Sequence, residues 1–493
     1  MTETATSHPP QPRPTDSLQE RPPRPANSGS RRTHIRVAVT ATLLAALTAT
    51  VIDTLHAGDS LSNPRRLLAG YAVTWTLFAA AAWTVRKVSA RAATGLVLAG
   101  SAAIALAALA TPPHTSNDMF RYAWDGRVQA AGISPYADPP AAPELAHLRD
   151  DWLFPTEGAC EDWGVTRTDS GLCVRINRPT VPTIYPPVAE GWFFAVHTVS
   201  PPDSRHKPLQ VGGAVLAFGT TVALLVVLRR RGDPRRAPAR AALWAWCPAV
   251  AFEAVNNAHI DTLGVLLTVL ALGTATAGAR RGALLGAAVA VKLLPVLVLP
   301  GALSGQHSPK RITRLLAAVV AAVALAYLPY VAASGAGVLG YLPGYLQEEG
   351  YQPGHVRRFA LLRSLLPDAA AGVAALVLLA LAALYVWLRG DPARPWRGAL
   401  LLTGTTLLLV SPSYPWYSLL VVALVALDGR WEWLTVTLAG TVLYLAGRLL
   451  PGVPLQTWAY GAAALTVLLG ACLRSGRTRR MMRSRRGRLP VAV

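Results

Sequence analysis

The segment AATGLVLAGSAAIALAALA (92–110), followed by TPPHTSNDMFRYAWDGR (111–127), decides the fold. Its first part contains no charged residue and is about as long as a helix that crosses a hydrocarbon core of roughly 30 Å. Its second part is polar and carries two carboxylates, Asp118 and Asp125. The two parts together predict a transmembrane helix that leads into a polar, carboxylate-bearing segment at one membrane surface.

The whole chain of 493 residues is 52% hydrophobic and 15% charged, which is too apolar for a soluble enzyme. Further apolar blocks lie near residues 35–55, 67–86, 209–229, 239–257, 260–278, 312–333, 368–388, 396–411, 414–427, 430–447 and 455–473. We therefore predict an all-α fold, a polytopic transmembrane helical bundle of about 12 spans, in a range of about 11 to 14. Segments 186–200 and 282–303 are interrupted by prolines and either span the membrane or are re-entrant or interfacial.

The formal charge of +21 would suggest nucleic-acid binding in a soluble protein, but here the basic residues lie between apolar blocks. Such clusters mark the cytoplasmic ends of membrane helices. They occur within 31–36, 86–91, 229–240, 310–314, 389–397 and 474–488. We expect no nucleic-acid partner, and we predict a multi-pass protein of the plasma membrane with both termini in the cytoplasm.

The chain divides into three predicted regions. Residues 1–33 read as a disordered cytoplasmic tail, residues 34–473 as the transmembrane domain, and residues 474–493 as a basic cytoplasmic tail. Counting spans against the basic clusters places loop 112–185 and a second loop, 334–367, outside the cytoplasm. Between Asn117 and Tyr185 ten acids oppose six arginines, which reverses the bias of the whole chain.

The large loop contains two of the four cysteines, Cys160 and Cys173. In an extracytoplasmic loop these two residues either form a local disulfide or remain free thiols. The other two cysteines lie in apolar blocks.

The densest polar segment of the loop begins at Asn117. On a helix, Asp118, Tyr122 and Asp125 share one face, so two carboxylates and a phenol are expected at the membrane surface. In the alternative interpretation these acids are solvated or paired with Arg121 and Arg127, and for Asp125 an ion pair with Arg121 stays open.

Two aromatic residues of the same segment, Phe120 and Trp124, lie four positions apart. We expect them to press an amphipathic helix into the headgroup layer of the outer leaflet. At the other end of the loop, Asn177, Arg178 and Tyr185 return the chain to the membrane. The two loop ends are therefore expected to meet in a cleft that accepts a lipid-linked substrate.

Three later sites interrupt apolar blocks with polar or aromatic groups. His259 and Asp261 lie in a segment that is either a plain turn or part of the site. Lys292, inside an apolar run, either binds a lipid phosphate or snorkels or forms a structural pair. Trp416 and Tyr417 are either interfacial aromatics or sugar-stacking and lipid-contacting residues.

Several short motifs resemble those of the polyprenyl-phosphate-mannose-dependent mannosyltransferases of actinobacteria and their relatives in the GT-C superfamily. The motifs are Asp118-x-x-x-Tyr122-x-x-x-Gly126, Gly132-x-x-Pro135-Tyr136, Tyr185-Pro186-Pro187, Lys292-x-x-Pro295 and Pro412-x-x-Pro415-Trp416-Tyr417. The resemblance spans about residues 92 to 420. It implies a GT-C-like helical fold with an outward catalytic loop, a polyprenyl-phosphate sugar donor and inversion at the anomeric carbon.

By this resemblance Asp118 is the general base that takes the proton from the acceptor hydroxyl. Polyprenyl phosphate is an adequate leaving group, so one base with cations near the phosphate would suffice. The candidate cations are Arg121, Arg127, Arg178 and Lys292. The resemblance leaves a divalent cation open, since some superfamily members use one and others do not. Asp125 is then either a second carboxylate that orients the acceptor or a metal, or an ion-pair partner of Arg121.

We therefore expect transfer of a hexose, with mannose as the first candidate, to an extracytoplasmic glycan or glycolipid acceptor. Membrane lipid is the other expected partner. The alternative is a polytopic transporter or lipid-linked sugar flippase, and a non-catalytic scaffold is a third class. A transporter usually has repeated halves and polar residues near the midplane of several helices, whereas this sequence concentrates them in a loop. No Walker motif, dinucleotide fingerprint, CxxC pair or HExxH motif is present.

Overall fold

A computed structural model describes residues 28–58, 62–274, 278–351, 358–447 and 449–486. These residues are mainly helical and contain almost no strand, so the predicted all-α class is confirmed. The helices are α1 Ser28–Leu55, α2 Pro64–Thr84, α3 Ala90–Ala108, α4 Asp118–Ala130, α5 Pro187–Val199, α6 Lys207–Arg231, α7 Ala237–Ala245, α8 Asp261–Gly273, α9 Ala279–Val289, α10 Leu299–Ala302, α11 Pro309–Ser334, α12 Leu342–Leu346, α13 Ala360–Arg363, α14 Asp368–Arg389, α15 Trp396–Val410, α16 Leu419–Asp428, α17 Leu434–Ala446 and α18 Leu455–Arg486.

Shorter elements connect these helices. The 3₁₀ turns are Val85–Lys87, Pro143–Leu148, Glu157–Ala159, Leu294–Val298, Gly335–Leu339, Pro415–Ser418 and Trp431–Trp433, and the π-helical turns are Val250–Asn256 and Gln347–Tyr351. Two strands, β1 Thr166–Arg167 and β2 Cys173–Val174, pair antiparallel within the large loop, with Thr166 opposite Val174.

Seven helices of the described part of the chain are long and apolar enough to cross a membrane. They lie at Thr33–Leu55, Pro64–Lys87, Ala90–Ala108, Lys207–Arg231, Pro309–Leu339, Asp368–Arg389 and Leu455–Ser475. An eighth is obtained if Val250–Asn256 and Asp261–Gly273, which are bent by 111° at their junction, form one broken span. The chain is therefore a polytopic helical membrane protein.

The remaining predicted spans, near 239–257, 260–278, 396–411, 414–427 and 430–447, are short or broken helices. Pro248 and Pro415 lack the N–H that would continue a helix, and each lies where one of these segments is interrupted. All residues of α16 are buried by their neighbours. A helix enclosed by protein does not need to match the bilayer thickness, which explains why about twelve apolar blocks give fewer full-length helices.

The two segments of uncertain course also break. Segment 186–200 forms α5, thirteen residues long, and segment 282–303 contains most of α9, then Lys292 in an irregular stretch, then α10. Neither is among the helices long enough to span a membrane. Both lie at the junction of the large loop with the bundle: α5 packs on α4, and the backbone N–H of Val188 donates to the carbonyl of Ala290 over 2.9 Å.

The large loop has its own apolar core. Phe120 packs edge-on against Trp152 at 5.7 Å between ring centroids, and Trp124 packs against Phe154 at 5.1 Å. Phe120 and Trp124 are both buried, so the prediction that they press α4 into the headgroup layer is wrong. The loop is long enough to cover α4 with its own apolar side chains, and this removes the rings from lipid and water alike.

Two close contacts hold this core together. Gly126 faces α5 so tightly that an added Cβ would lie 2.5 Å from the carbonyl oxygen of Phe193, so only glycine fits there. Cys160 and Cys173 form a disulfide within the loop.

The predicted region boundaries fall inside helices. Helix α1 begins at Ser28, within the predicted tail, and α18 continues to Arg486, within the predicted basic tail. Residues 1–27 and 487–493 of these tails lie outside the described residues, as do residues 352–357 of the second predicted outer loop.

Candidate functional site

The carboxylate of Asp118 lies at the first residue of α4, where the free N–H groups of the helix favour negative charge. Its Oδ1 accepts a hydrogen bond from Asn177 Nδ2 over 2.6 Å. Its Oδ2 lies 3.5 Å from Nδ1 of His259. The Asp118 side chain is 15% exposed, so this oriented carboxylate remains open on one side.

That open side faces a cavity of about 460 Å³ at the junction of the large loop with the bundle. The lining comes from the start of α4, the end of the large loop, the break after α9, the second loop and the 3₁₀ turn at Pro415. Its residues are Ser116, Asn117, Asp118, Asn177, Arg178, Ile184, Tyr185, Lys292, Tyr345, Glu348, Glu349, Tyr414, Trp416, Tyr417 and Tyr444. The structure thus brings together Asp118, both ends of the loop, Lys292 and the predicted aromatic pair.

Two cations line the cavity, and each is held by a carboxylate. Arg178 Nε donates to Glu348 Oε2 over 2.5 Å, and its guanidinium lies 5.3 Å from the ring centroid of Tyr345. Lys292 Nζ donates to Asp261 Oδ2 over 2.6 Å. The structural pairing that was left open for Lys292 is therefore present, and its ammonium group still faces the cavity.

The electrostatics of the site leave Asp118 a stronger base than an exposed aspartate. Burial raises the pKa of Asp118, while the charges of Lys292 and Arg178 and the Asn177 hydrogen bond oppose that rise. Burial alone would lower the pKa of Arg178, but its hydrogen bond to Glu348 and the charge of Glu348 raise it overall. The guanidinium therefore keeps its charge beside a carboxylate that binds a proton more readily than usual.

The turn before α8 lies behind the residues that line the cavity. His259 is fully buried there, and its ring stacks on Trp416 with 4.1 Å between centroids. Its Nε2 lies 3.3 Å from Oε2 of Glu253, on the side away from Asp118. His259 therefore contacts the Asp118 carboxylate from behind and is not itself in the cavity lining.

The second loop closes one side of the cavity. Tyr341 donates to Glu348 over 2.5 Å, and the hydroxyls of Tyr345 and Tyr417 are hydrogen-bonded. Through Glu348 this loop reaches Arg178, whose backbone has a φ of 49°, a left-handed conformation that a non-glycine residue adopts at a cost. The second loop and Arg178 therefore lie together along one edge of the cavity.

Four predicted substrate-binding residues lie elsewhere. Arg121 and Asp125 form a buried ion pair with 2.9 Å between Arg121 Nε and Asp125 Oδ1, and Arg121 also donates to the carbonyl of Val181. This is the ion-pair alternative for Asp125. Seven residues of helix separate Asp118 from Asp125 by roughly 10 Å along the axis, and Asp125 is not among the residues that line the cavity.

Arg127 and Tyr122 complete this correction. Arg127 donates to Asp150 over 2.6 Å and lines a different cavity of about 560 Å³ beside α5. Tyr122 is buried and stacks on Phe193 with 4.4 Å between centroids. Asp118 and Tyr122 were predicted to share one face of α4. Asp118 does reach the cavity, whereas the phenol of Tyr122 packs in the apolar core of the large loop.

Sequence reasoning missed several residues at the site. Tyr345 and Glu348 belong to the second loop, 334–367, and line the cavity. Tyr414 and Tyr444 sit inside apolar blocks. Glu253 was missed although an acid within an apolar block is itself a signal.

The acids around the cavity have different partners. Within the described ranges no three His, Cys, Asp or Glu side chains are grouped so that they could hold an ion. Of the three carboxylates in the lining, Glu348 is paired with Arg178 and Glu349 with Arg358. The third, Asp118, is held by the neutral amide of Asn177 and lies in the same cavity as the cations Arg178 and Lys292.

The fold and the cavity together define a class of protein. It is an all-α, multi-pass membrane protein with a polar cavity where a large loop meets the helical bundle. The model of glycosyltransferase family 87 matches residues 184–412, which include Tyr185, His259, Asp261 and Lys292. This similarity supports a membrane glycosyltransferase of the GT-C type. No curated protein and no solved structure matches the chain.

Proposed function

We propose that the protein transfers a hexose, with mannose as the first candidate, from a polyprenyl-phosphate donor to a glycan or glycolipid acceptor. The observation that carries this proposal is the carboxylate of Asp118, which is buried, held by a neutral amide and located in one cavity with Arg178 and Lys292, whereas Glu348 and Glu349 of the same cavity are paired with arginines. A base next to two cations matches the needs of transfer from a phosphate leaving group.

In the proposed reaction Asp118 takes the proton of the acceptor hydroxyl while that oxygen attacks the anomeric carbon. The bond between the anomeric carbon and the phosphate oxygen breaks, and its electron pair stays on the polyprenyl phosphate. Arg178 and Lys292 stabilise the charge that develops there. Attack from the face opposite the leaving group inverts the anomeric centre.

The membrane side of the site supports a lipid-linked donor. Beside Lys292 the side chains of Leu293 and Val296 are 52% and 46% exposed, on a segment within the apolar bundle. A polyprenyl chain lying on this apolar surface would bring its phosphate to Lys292. The aromatic residues Trp416 and Tyr417 are the proposed contacts of the sugar and the lipid phosphate region.

The location of the cavity is also part of the proposal. We place loop 112–185 and the second loop outside the cytoplasm, both termini inside, and the protein in the plasma membrane. The Cys160–Cys173 disulfide supports an oxidising surrounding for the large loop. The division into two tails and one transmembrane domain is proposed on the same grounds.

The test is transfer of labelled sugar in membranes that contain wild-type protein, Asp118→Asn or the control Asp169→Asn at matched expression. Asp169 is an exposed acid of the same loop, so its loss controls for charge. Polyprenyl-phosphate-mannose, polyprenyl-phosphate-glucose and a nucleotide-linked mannose are compared as donors, each with EDTA and with Mg²⁺ or Mn²⁺.

We expect transfer from a polyprenyl-phosphate donor in the wild type and in the control, and its loss in Asp118→Asn. Equal transfer by Asp118→Asn would show that Asp118 is not the general base. Movement of a labelled lipid-linked sugar across the membrane without transfer, in the wild type only, would favour the flippase alternative.

A further inference from the structure

One acid lies deep behind the site and has no part in the proposed transfer. Glu253 is 2% exposed and lies in the π-helical turn Val250–Asn256, inside an apolar block. A carboxyl group at such depth is expensive, and π-helical turns often mark functional positions. Glu253 therefore requires an explanation beyond packing.

Its position is fixed from two sides. Asn257 Nδ2 donates to Glu253 Oε2 over 3.0 Å and also to Thr115 Oγ1 over 2.7 Å. The same Oε2 lies 3.3 Å from His259 Nε2. Between them Ala258 has a φ of 53°, so the backbone adopts a left-handed conformation to turn the imidazole toward Glu253.

The imidazole of His259 lies between two carboxyl groups. Its Nδ1 is 3.5 Å from Asp118 Oδ2, its Nε2 is 3.3 Å from Glu253 Oε2, and Trp416 covers one face. These separations are long for hydrogen bonds, and among the residues that the structure describes neither ring nitrogen has a partner of good geometry. Such contacts commonly tighten when substrate binds.

The charges around Asp118, His259 and Glu253 decide which of these three groups carries a proton. The titratable and charged groups that face these three residues from neighbouring segments are Tyr71, Arg178, Asp261, Lys292, Tyr417 and Tyr444. Both cations among them are bonded to other carboxylates, Lys292 to Asp261 and Arg178 to Glu348. An ionised Glu253 would thus be a buried carboxylate without a bonded cation, so a shared proton between Glu253 and His259 costs less.

A neutral imidazole carries one N–H. If that N–H is on Nδ1, it donates to the carboxylate of Asp118, and Nε2 becomes an acceptor that needs a donor. The protonated carboxyl group of Glu253 is the group in position to donate to it. The reverse arrangement would direct a nitrogen lone pair at the Asp118 carboxylate, which is repulsive.

We infer that Glu253 is a positioning residue, whose protonated carboxyl group donates to His259 Nε2 and so directs the Nδ1–H of His259 toward Asp118. This role rests on the proposed transferase function. Through it the buried acid holds the base in its ionised, oriented form, and no covalent bond to Glu253 forms. A glutamine can make the same donation, whereas a leucine cannot.

The kinetic test compares Glu253→Leu and Glu253→Gln with the wild type, using the pH profile of kcat. Glu253→Leu is expected to lower kcat about 10- to 100-fold and to move its acid limb to higher pH, because Asp118 loses a donor that stabilises its anion. Glu253→Gln is expected to restore most of that loss and the position of the limb.

Equal impairment of both variants, or a Glu253→Leu profile identical to that of the wild type, would overturn the inference while leaving the transferase intact. Absence of transfer in the wild type would instead remove the proposed function.

A spectroscopic test does not depend on activity or on the leucine variant folding. The infrared difference spectrum of purified wild-type protein minus Glu253→Gln should contain the carbonyl-stretch band of a protonated carboxylic acid near neutral pH. The difference spectrum of wild type minus Asp118→Asn should lack that band. A carboxylate band for Glu253 would contradict the proposed proton position.

Discussion

Asp118 and Asp125 lie on the same helix, about two turns apart, in opposite surroundings. Asp118 is held by a neutral amide, lies 3.5 Å from an imidazole nitrogen and opens into a cavity. Asp125 is sealed against the guanidinium of Arg121 and is 1% exposed. The comparison shows that the partner and the opening, more than the residue type, distinguish a catalytic carboxylate from a structural one.

The Arg121–Asp125 pair gives the largest expected effect on folding. Asp125→Asn leaves the guanidinium of Arg121 buried without its carboxylate, and we expect the free energy of unfolding to fall by about 3 kcal/mol. Transfer per folded molecule should not change. Thermal unfolding in detergent, combined with activity normalised to folded protein, measures both.

The matched control for that variant is Asp150→Asn. Asp150 pairs with Arg127, but their side chains are 39% and 24% exposed, so the loss should be no more than about 1 kcal/mol. If Asp125→Asn left stability intact and abolished transfer, the two acids would have to exchange roles.

The same comparison can be made between two arginines, Arg178 and Arg121. Unlike Arg121, Arg178 lines the cavity, so Arg178→Leu should lower kcat/KM for the lipid-linked donor about 30-fold through lost charge-assisted hydrogen bonds to the phosphate. The control is Arg167→Leu, whose exposed side chain lies on β1 of the same loop. Similar kinetics in both variants would exclude Arg178 from phosphate binding.

A smaller effect concerns the pKa of Asp118. The base works when ionised, so activity falls as the pH drops through its pKa, and burial already raises that pKa above the ordinary range of aspartate. Asn177→Leu removes the hydrogen bond that opposes the rise. The acid limb of kcat should therefore move to higher pH.

The pH profile measured in parallel for the wild type gives the reference for this shift. A limb that stays in place, or moves to lower pH, would mean that Asn177 does not stabilise the Asp118 carboxylate.

Much of this site could be predicted from the sequence, because each of its parts breaks a local pattern. Asp118 directly follows a membrane span, Lys292 interrupts an apolar run, and Trp416 and Tyr417 follow a proline pair. Such interruptions are costly in a membrane and therefore informative. The helical class follows from the apolar blocks for the same reason.

The remainder depended on tertiary packing. Burial of Phe120 and Trp124 could not be read from α4, since their cover is supplied by Trp152 and Phe154, about thirty residues later in the loop. Arg121 was a candidate for phosphate binding because its charge is visible in the sequence, whereas its burial against Asp125 is not. The number of full-length helices was likewise set by packing, as the enclosed α16 illustrates.

The most direct measurement of the central claim is the single-turnover rate of sugar transfer by purified protein in lipid nanodiscs, with wild type, Asp118→Asn and Asp125→Asn compared at saturating donor and acceptor. Asp118→Asn should slow the chemical step at least about 100-fold, with donor binding retained and Asp125→Asn unaffected per folded molecule. A chemical step of wild-type speed in Asp118→Asn, or an equal loss in Asp125→Asn, would contradict the assignment of Asp118 as the base.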